Sequence, residues 1–247
     1  MTNEYYKPGE QRAVRVGELF ATIARRYDLI NDIQSFGIHR LWKKRVIRLA
    51  QVQPGERALD LCCGTGDLTL ALAKKGVEVI GLDFSEPMLA VAREKGAKSN
   101  RDGKTKTRAG KVEFIHGDAQ RIPLADNSFD VLTIGYGLRN LADLDAGLRD
   151  MLRVTKPGGR FVALEFGKPG NALWRAVYFG YLKFMLPVFG KVFCGNSAAY
   201  GYILESLSHY PAQLGVAEKL TKFGWRDVRV INLLGGVMSI HYAEKPR

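Results

Sequence analysis

Ala58-Leu-Asp-Leu-Cys-Cys-Gly-Thr-Gly-Asp-Leu-Thr69 decides the fold, because an apolar run, a turn of small residues and the start of an apolar-periodic helix follow one another without a gap. Gly64 and Gly66 permit tight turning and let a ligand lie against main-chain N–H groups near a helix N-terminus. A nucleotide-like ligand is expected there. Working outward, ERALDLCC, VEVIGLD, VEFIHGD, SFDVLTIGY and GRFVALEFG read as short buried strands bounded by turn residues. Between them DLTLALAKKG, SEPMLAVAREKG and LADLDAGLRDMLRVTKPGG carry apolar positions every three or four residues, with Gly76, Gly96 and Gly158 at their ends and Ser85 as an N-cap before Pro87. Alternating strands and helices imply right-handed crossovers and an α/β doubly wound, mostly parallel sheet. WRDVRVINLL and GGVMSIHYAEK, joined through Gly235 and Gly236, close it as a hairpin and bring the strands to seven.

The 247 residues are expected to form a single domain, 1–247, with residues 1–50 as an N-terminal helical cap, 51–167 as the ligand-binding core, 168–215 as a helical lid and 216–247 as the last helix and closing hairpin. The 46 % hydrophobic and 25 % charged composition excludes disorder and fibrous repeats. Three cysteines, Cys62, Cys63 and Cys194, supply neither a disulfide framework nor zinc spacing, which points to a cytoplasmic protein. No signal segment or spanning apolar run is read. The net charge of +12 is localised: Arg12–Arg48 holds nine basic and three acidic residues, and Arg93–Lys111 holds eight and two. The first stretch mixes its cations with aromatic and aliphatic residues at helical spacing, as a helix resting on an anionic membrane does. Residues 173–193, dense in Phe, Tyr, Leu and Val but broken by Arg175, Lys183, Pro187 and Lys191, form either a lid packed on the core or a surface that touches membrane or a greasy substrate.

Three acids stand at or near three successive strand ends. Asp83, 17 residues beyond Gly66, is positioned to accept both hydroxyls of a ribose, and Asp118, beside Gly117 and Ala119, to accept from an exocyclic amine of adenine. Asp60 just before the turn disfavours a pyrophosphate, and so a nicotinamide dinucleotide; it suits an ammonium or sulfonium ligand. Asp60 and Asp67 as mere caps of the turn is the structural alternative.

These residues resemble the class I S-adenosylmethionine-dependent methyltransferases, with Cys62 standing where the first glycine of that motif usually falls. Three further stretches narrow the resemblance: Phe20-Ala-x-Ile-Ala-x-x-Tyr27-Asp28-x-Ile-Asn31, Gly135-Tyr-Gly-Leu-Arg139-Asn140 and Lys156-Pro-Gly-Gly-Arg-Phe-Val-Ala-Leu-Glu165-Phe. With the Tyr200–Pro211 stretch, the chain from about residue 17 onward is similar to the ubiquinone/menaquinone biosynthesis C-methyltransferases, which methylate a ring carbon of a polyprenylated quinol. The Lys-rich insertion near 98–111 and Gly135 depart from that pattern.

The resemblance implies S-adenosyl-L-methionine as cofactor, with Asp60, Gly64, Gly66, Thr69, Asp83, Asp118, Ala119 and Gly135 as its binding set and no metal. Demethylmenaquinol is the expected substrate, with a ubiquinone-pathway benzoquinol as alternative. Its partners would be the quinol and an anionic membrane surface on which the protein sits peripherally, with no nucleic acid. Arg139 and Asn140, after the fourth strand, are placed to stabilise a quinolate oxygen, and Tyr27, Asp28 or Asn31 to orient the substrate hydroxyl. Arg139 in an ion pair with Asp143 is the competing structural reading. An RNA or DNA methyltransferase and a non-catalytic membrane adaptor are the remaining alternatives; GYGLRN stands where an Asn/Asp-Pro-Pro-aromatic motif would mark the former. His39, His116, His209 and His241 share no metal-ligand spacing, and His209 is the one considered as a proton acceptor.

Overall fold

The computed structural model describes residues 11–101, 110–194 and 198–247. Three helices come first: α1 (Gln11–Ile23), α2 (Tyr27–Ser35) and α3 (His39–Ala50). The core then alternates β1 (Arg57–Leu61), α4 (Asp67–Ala73), β2 (Glu78–Asp83), α5 (Glu86–Arg101), β3 (Val112–His116), β4 (Phe129–Gly135), α6 (Leu144–Val154) and β5 (Thr155–Phe166). Helices α7 (Ala172–Cys194), α8 (Ala198–His209) and α9 (Ala212–Lys222) precede β6 (Arg226–Leu233) and β7 (Met238–Glu244).

Among the described residues seven strands form one sheet in the order β3-β2-β1-β4-β5-β7-β6. Pairings from β3 to β5 are parallel, and β7 runs antiparallel to both β5 and β6. Chain order reverses between β1 and β4, so the carboxyl ends of these strands open a crevice where α/β sheets bind ligands. The pleat sends neighbours to opposite faces. Leu59, Leu132 and Phe161 enter one apolar cluster with Leu148, Met151 and Trp225, while Ala58, Val131 and Val162 enter the other with Val46, Leu72 and Ile240. Both faces are covered, which is why these strands read as near-continuous apolar runs.

Three local expectations are corrected. TKPGG, expected to end a helix, begins β5, because Pro157 has no N–H for another helical turn and disfavours helical backbone at Lys156. The Thr155 hydroxyl donates to the Met151 carbonyl at 2.7 Å where α6 stops. Gly96 does not end α5, which runs on to Arg101; a Cβ there would lie 3.6 Å from Phe114 and 3.7 Å from Leu70, so its small size serves close packing. The closing hairpin forms, with Leu233 opposite Met238, but its second strand sits inside the sheet between β5 and β6. The remainder of the Lys-rich insertion, 102–109, lies outside the described residues, as does the side chain of Cys194.

Helix α7 is apolar nearly all round yet buries only a narrow stripe: Tyr178, Leu182 and Leu186 are covered, while Leu173, Phe184 and Val192 are 76 %, 69 % and 65 % exposed. Among the described residues, no helix is long and apolar enough to cross a membrane.

Candidate active site

The turn after β1 wraps onto the end of β2 through Asp83. Its Oδ2 accepts from the Gly64 N–H at 2.8 Å and its Oδ1 from the Ser85 N–H at 2.8 Å, leaving each oxygen a further lone pair. Burial raises the Asp83 pKa, and the Ser85 and Gly64 amides pull it back. Asp83, Gly64, Asp118, Ala119, Gly135 and Asn140 line one cleft of about 100 Å³. Asp118 is held by the Gln120 N–H at 2.9 Å and by the Gln120 amide, a residue to which no motif pointed. Gly64 has φ of +55°, and a Cβ there would stand 3.6 Å from Met88 and 4.0 Å from Tyr27, on the floor of the cleft.

Two buried polar atoms of cleft residues, Ser85 Oγ and Asn140 Oδ1, have no hydrogen-bond partner among the described residues. Buried polar atoms without partners cost stability, so the cleft is built for a ligand carrying donors and hydroxyls. An adenosyl amino acid fits that donor set. Ser85, expected as a helix cap, thus uses its carbonyl toward α5 and leaves its hydroxyl to the cleft.

Cys62 occupies the left-handed region, φ +50°, where a glycine is expected. The next loop makes room for it: a Cβ on Gly137 would fall 2.7 Å from Cys62 Cβ. Burial, with the nearby Asp83 and Asp60, pushes both the Cys62 and Cys63 thiols well above their ordinary pKa, so they stay protonated; Cys63 packs beneath the turn and Cys62 lines the cleft.

Three expected ligand residues stand beneath the cleft instead of lining it. Asp60, 1 % exposed, accepts from Thr69 Oγ1 at 2.6 Å and Thr133 Oγ1 at 2.7 Å, which ties β1 to α4 and β4 and turns this carboxylate away from the cleft, where Asp83 and Asp118 are the lining acids. Burial, only partly offset by these hydroxyls, raises its pKa to about 6. Thr69 is wholly buried in that contact. Gly66 is the αL N-cap of α4, and a Cβ there would crowd Phe114 at 3.0 Å and Ala92 at 3.2 Å; it serves helix-to-strand packing.

The N-terminal helices close the cleft. Asp28 accepts from Thr65 Oγ1 at 2.7 Å and from Lys95 Nζ at 2.8 Å; Lys95 also reaches Asp67 at 2.5 Å, and Lys43 reaches it at 2.7 Å. Burial would raise Asp67, but Lys43 and Lys95 bring its pKa down to about 2. This ionic clasp presses Tyr27 against the turn.

Behind Tyr27 lies a second, larger cavity of about 390 Å³, walled mostly by apolar side chains of α1, α7 and α8, with Tyr27, Asn31, Gln34 and Ser35 of α2 as a polar side. Phe20, Tyr27 and Tyr136 line both spaces, so the polar cleft and the apolar cavity meet there. Arg139 lines the cavity and is 5 % exposed. Its guanidinium pairs with Glu165 at 2.6 Å, donates to the Tyr136 carbonyl at 2.8 Å, lies 3.4 Å from the Tyr202 hydroxyl and stacks 4.5 Å above the Phe166 ring. The structural alternative, an ion pair of Arg139 with an acid such as Asp143, is met by Glu165 instead, and Asp143 caps α6 by accepting from the Ala146 N–H. Burial pushes the Tyr27 phenol up, against the opposing pull of Asn31 and Arg139, so it stays protonated. His209 is exposed at the end of α8, bonded to Ser208 and the Glu205 carbonyl, and does not line either space.

The sequence pattern of the ubiE/COQ5 methyltransferase family matches residues 7–245. A demethylmenaquinone methyltransferase of Beutenbergia cavernae is 44 % identical over 230 residues, 93 % of this chain and 90 % of that one. A ubiquinone/menaquinone biosynthesis C-methyltransferase of Ectopseudomonas mendocina is 41 % identical over 242 residues, 97 % and 92 % of the two chains. Among solved structures, a possible histamine N-methyltransferase of Thermotoga maritima superposes with TM-score 0.62 at 18 % identity, covering 93 % of this chain and 99 % of that one. Haemonchus contortus phosphoethanolamine N-methyltransferase 2 gives TM-score 0.62 at 19 % identity over 83 % of this chain, which spans about half (52 %) of that longer protein. The two structural likenesses establish the Rossmann-like methyltransferase fold, and the sequence matches go further: the chain belongs to the ubiE/COQ5 methyltransferase family.

Proposed function

We propose that the protein methylates a ring carbon of a polyprenylated quinol, demethylmenaquinol to menaquinol, with S-adenosylmethionine as donor. The observation that carries this reading is the junction of a small polar cleft with a 390 Å³ apolar cavity at Phe20, Tyr27 and Tyr136. A methyl donor and a greasy ring can meet there with water excluded. The name of the Beutenbergia relative supports the naphthoquinol, and that of the Ectopseudomonas relative keeps a benzoquinol as the second reading.

In this proposal Asp83 takes the ribose hydroxyls, Asp118 and Ala119 border the adenine, and Gly64, Gly135 and Asn140 surround the remainder of the donor. Bound there, the donor supplies a methyl group on a cationic sulfur. Arg139 stands on the cavity side of the junction, where its charge lowers the pKa of a quinol hydroxyl and stabilises the quinolate. Glu165 holds the guanidinium plane and Phe166 backs it, so the cation is oriented before substrate arrives. Tyr27, which lines the same cavity at the junction, donates to the same oxygen. Helices α1 to α3 serve as cap and helices α7 and α8 as lid of one domain.

The exposed apolar face of α7 and the exposed cations Lys44, Arg45 and Arg48 support peripheral attachment to an anionic bilayer, from which the substrate is drawn. Incubation with labelled S-adenosylmethionine and a panel of demethylated naphthoquinols and benzoquinols, read by mass spectrometry, tests the function. Methyl transfer to the naphthoquinol is expected. Transfer to neither ring overturns the reading.

A further inference from the structure

The apolar cavity contains a polar feature that the methyl-transfer chemistry does not use. Most polar side chains around it are satisfied within the protein: Arg139 by Glu165, the Ser35 hydroxyl by the Asn31 carbonyl at 2.6 Å, the Trp174 indole by the Leu234 carbonyl at 2.9 Å. Tyr178 Oη and Gln34 Nε2 are buried with no hydrogen-bond partner among the described residues. Tyr178 is 95 % buried as a residue, 5 % exposed. Burial pushes its phenol up, so it is a donor like the Gln34 amide. Asn31 Nδ2 on the same wall is also without a partner among the described residues, but it stands one turn from Tyr27 and bears on its phenol, whereas Tyr178 and Gln34 call for a further acceptor that the bound molecule supplies.

Their placement says which acceptor. Tyr27 and Gln34 lie seven residues apart on one face of α2, roughly 10 Å along its axis, and Tyr27 lines both spaces while Gln34 lines only the apolar cavity. The hydroxyl of Tyr181, a residue of α7 that is 40 % exposed, donates to the Gln34 carbonyl at 3.4 Å, which puts Gln34 toward the outer end of the cavity. In a quinol the oxygen that activates the methylated carbon is adjacent to it. The second oxygen is para to the first and adjacent to the carbon that bears the tail. With the first oxygen at Arg139 and Tyr27, the second points outward, along the path the tail must take.

We propose that Tyr178 and Gln34 are substrate-binding residues that donate to this second ring oxygen and set the enzyme's preference for a 1,4-dioxygenated ring. The inference rests on the quinol reading above. A site built to hydrogen-bond an oxygen rejects an analogue lacking it, because its donors are then left unpaired.

The test compares two acceptors, the quinol and its mono-hydroxy analogue that retains the activated oxygen but lacks the one beside the tail-bearing carbon. Tyr178→Phe and Gln34→Met should each raise KM for the quinol about tenfold, with kcat within about twofold, and leave KM for the analogue unchanged. Melting temperature should hold or rise, since each change removes an unpaired buried donor; a structural role would lower it. An unchanged KM for the quinol, or an equal rise for both acceptors, overturns the assignment. Wild-type protein that methylates neither acceptor overturns the quinol reading itself, and the assignment with it.

Discussion

At the residue scale, Arg139 and Asp60 show what a linear motif conveys and what it hides. GYGLRN put Arg139 after the fourth strand, where a cation can serve a quinolate. Its partner could not be read, because Glu165 lies 26 residues on and meets it only through the pairing of β4 with β5. The pair is almost wholly dry, so Arg139→Met strands a buried carboxylate and should cost about 3–5 kcal/mol in urea unfolding. Adding Glu165→Gln should recover most of that stability and none of the turnover; turnover restored with stability would make the cation structural only. Asp60 was legible as an acid at a strand end but not as one turned inward, since the direction depends on Thr69 and Thr133 receiving it. Its native pKa of about 6 lies above the unfolded 3.8, so the protonated form favours the fold. The stability it contributes is full below about pH 4 and is lost as pH rises to about 6, on the order of 2–3 kcal/mol. The stability difference between Asp60→Asn and wild type should therefore shift in the variant's favour across that window and be flat above it; a difference constant from pH 4 to 7 refutes the assignment.

At the scale of elements, the β1–turn–α4 unit was readable because small residues, apolar runs and periodicity agreed over a dozen positions. The ends of α5 and α6 were not, because Gly96 and Gly158 look alike in sequence while one packs mid-helix and the other lies within β5. The cap was legible as helices but its fastening was not. Asp28 of α2 reaches Lys95 of α5, 67 residues away, and through it Asp67 of α4. Lys95 and both acids are about one-third exposed, so solvent screening limits the net effect on global stability to about 0.5–1 kcal/mol. The effect on cap opening should be larger in proportion, since the same contacts hold Tyr27 over the turn. Lys95→Met should speed dissociation of S-adenosylmethionine several-fold in stopped-flow experiments and remove its salt dependence; an unchanged off-rate shows that the cap does not gate the cleft.

At the scale of the molecule, surface charge and surface apolarity divide the work of association. Part of the basic N-terminal stretch is spent internally, Arg40 on Asp32 and Lys43 on Asp67, so fewer cations face a partner than the sequence count implies. Leu173, Phe184 and Val188 of α7 face solvent instead of the core. Phe184→Asp with Val188→Asp should weaken pelleting with anionic vesicles by tenfold or more while leaving melting temperature within a few degrees, as neither side chain is in the core. Binding of wild type equally to neutral and anionic vesicles at low salt would remove the electrostatic part of the proposal. The position of β7 carries a different consequence, one of timing. The interior slot beside β5 is filled by residues 238–244, after every other strand has been synthesised. A nascent chain therefore emerges with the edge of β5 open, an invitation to intermolecular strand pairing that residues 238–244 withdraw. Ribosome-stalled chains ending before Met238 should be protease-sensitive and bind chaperone, and extension past Glu244 should abolish both at once.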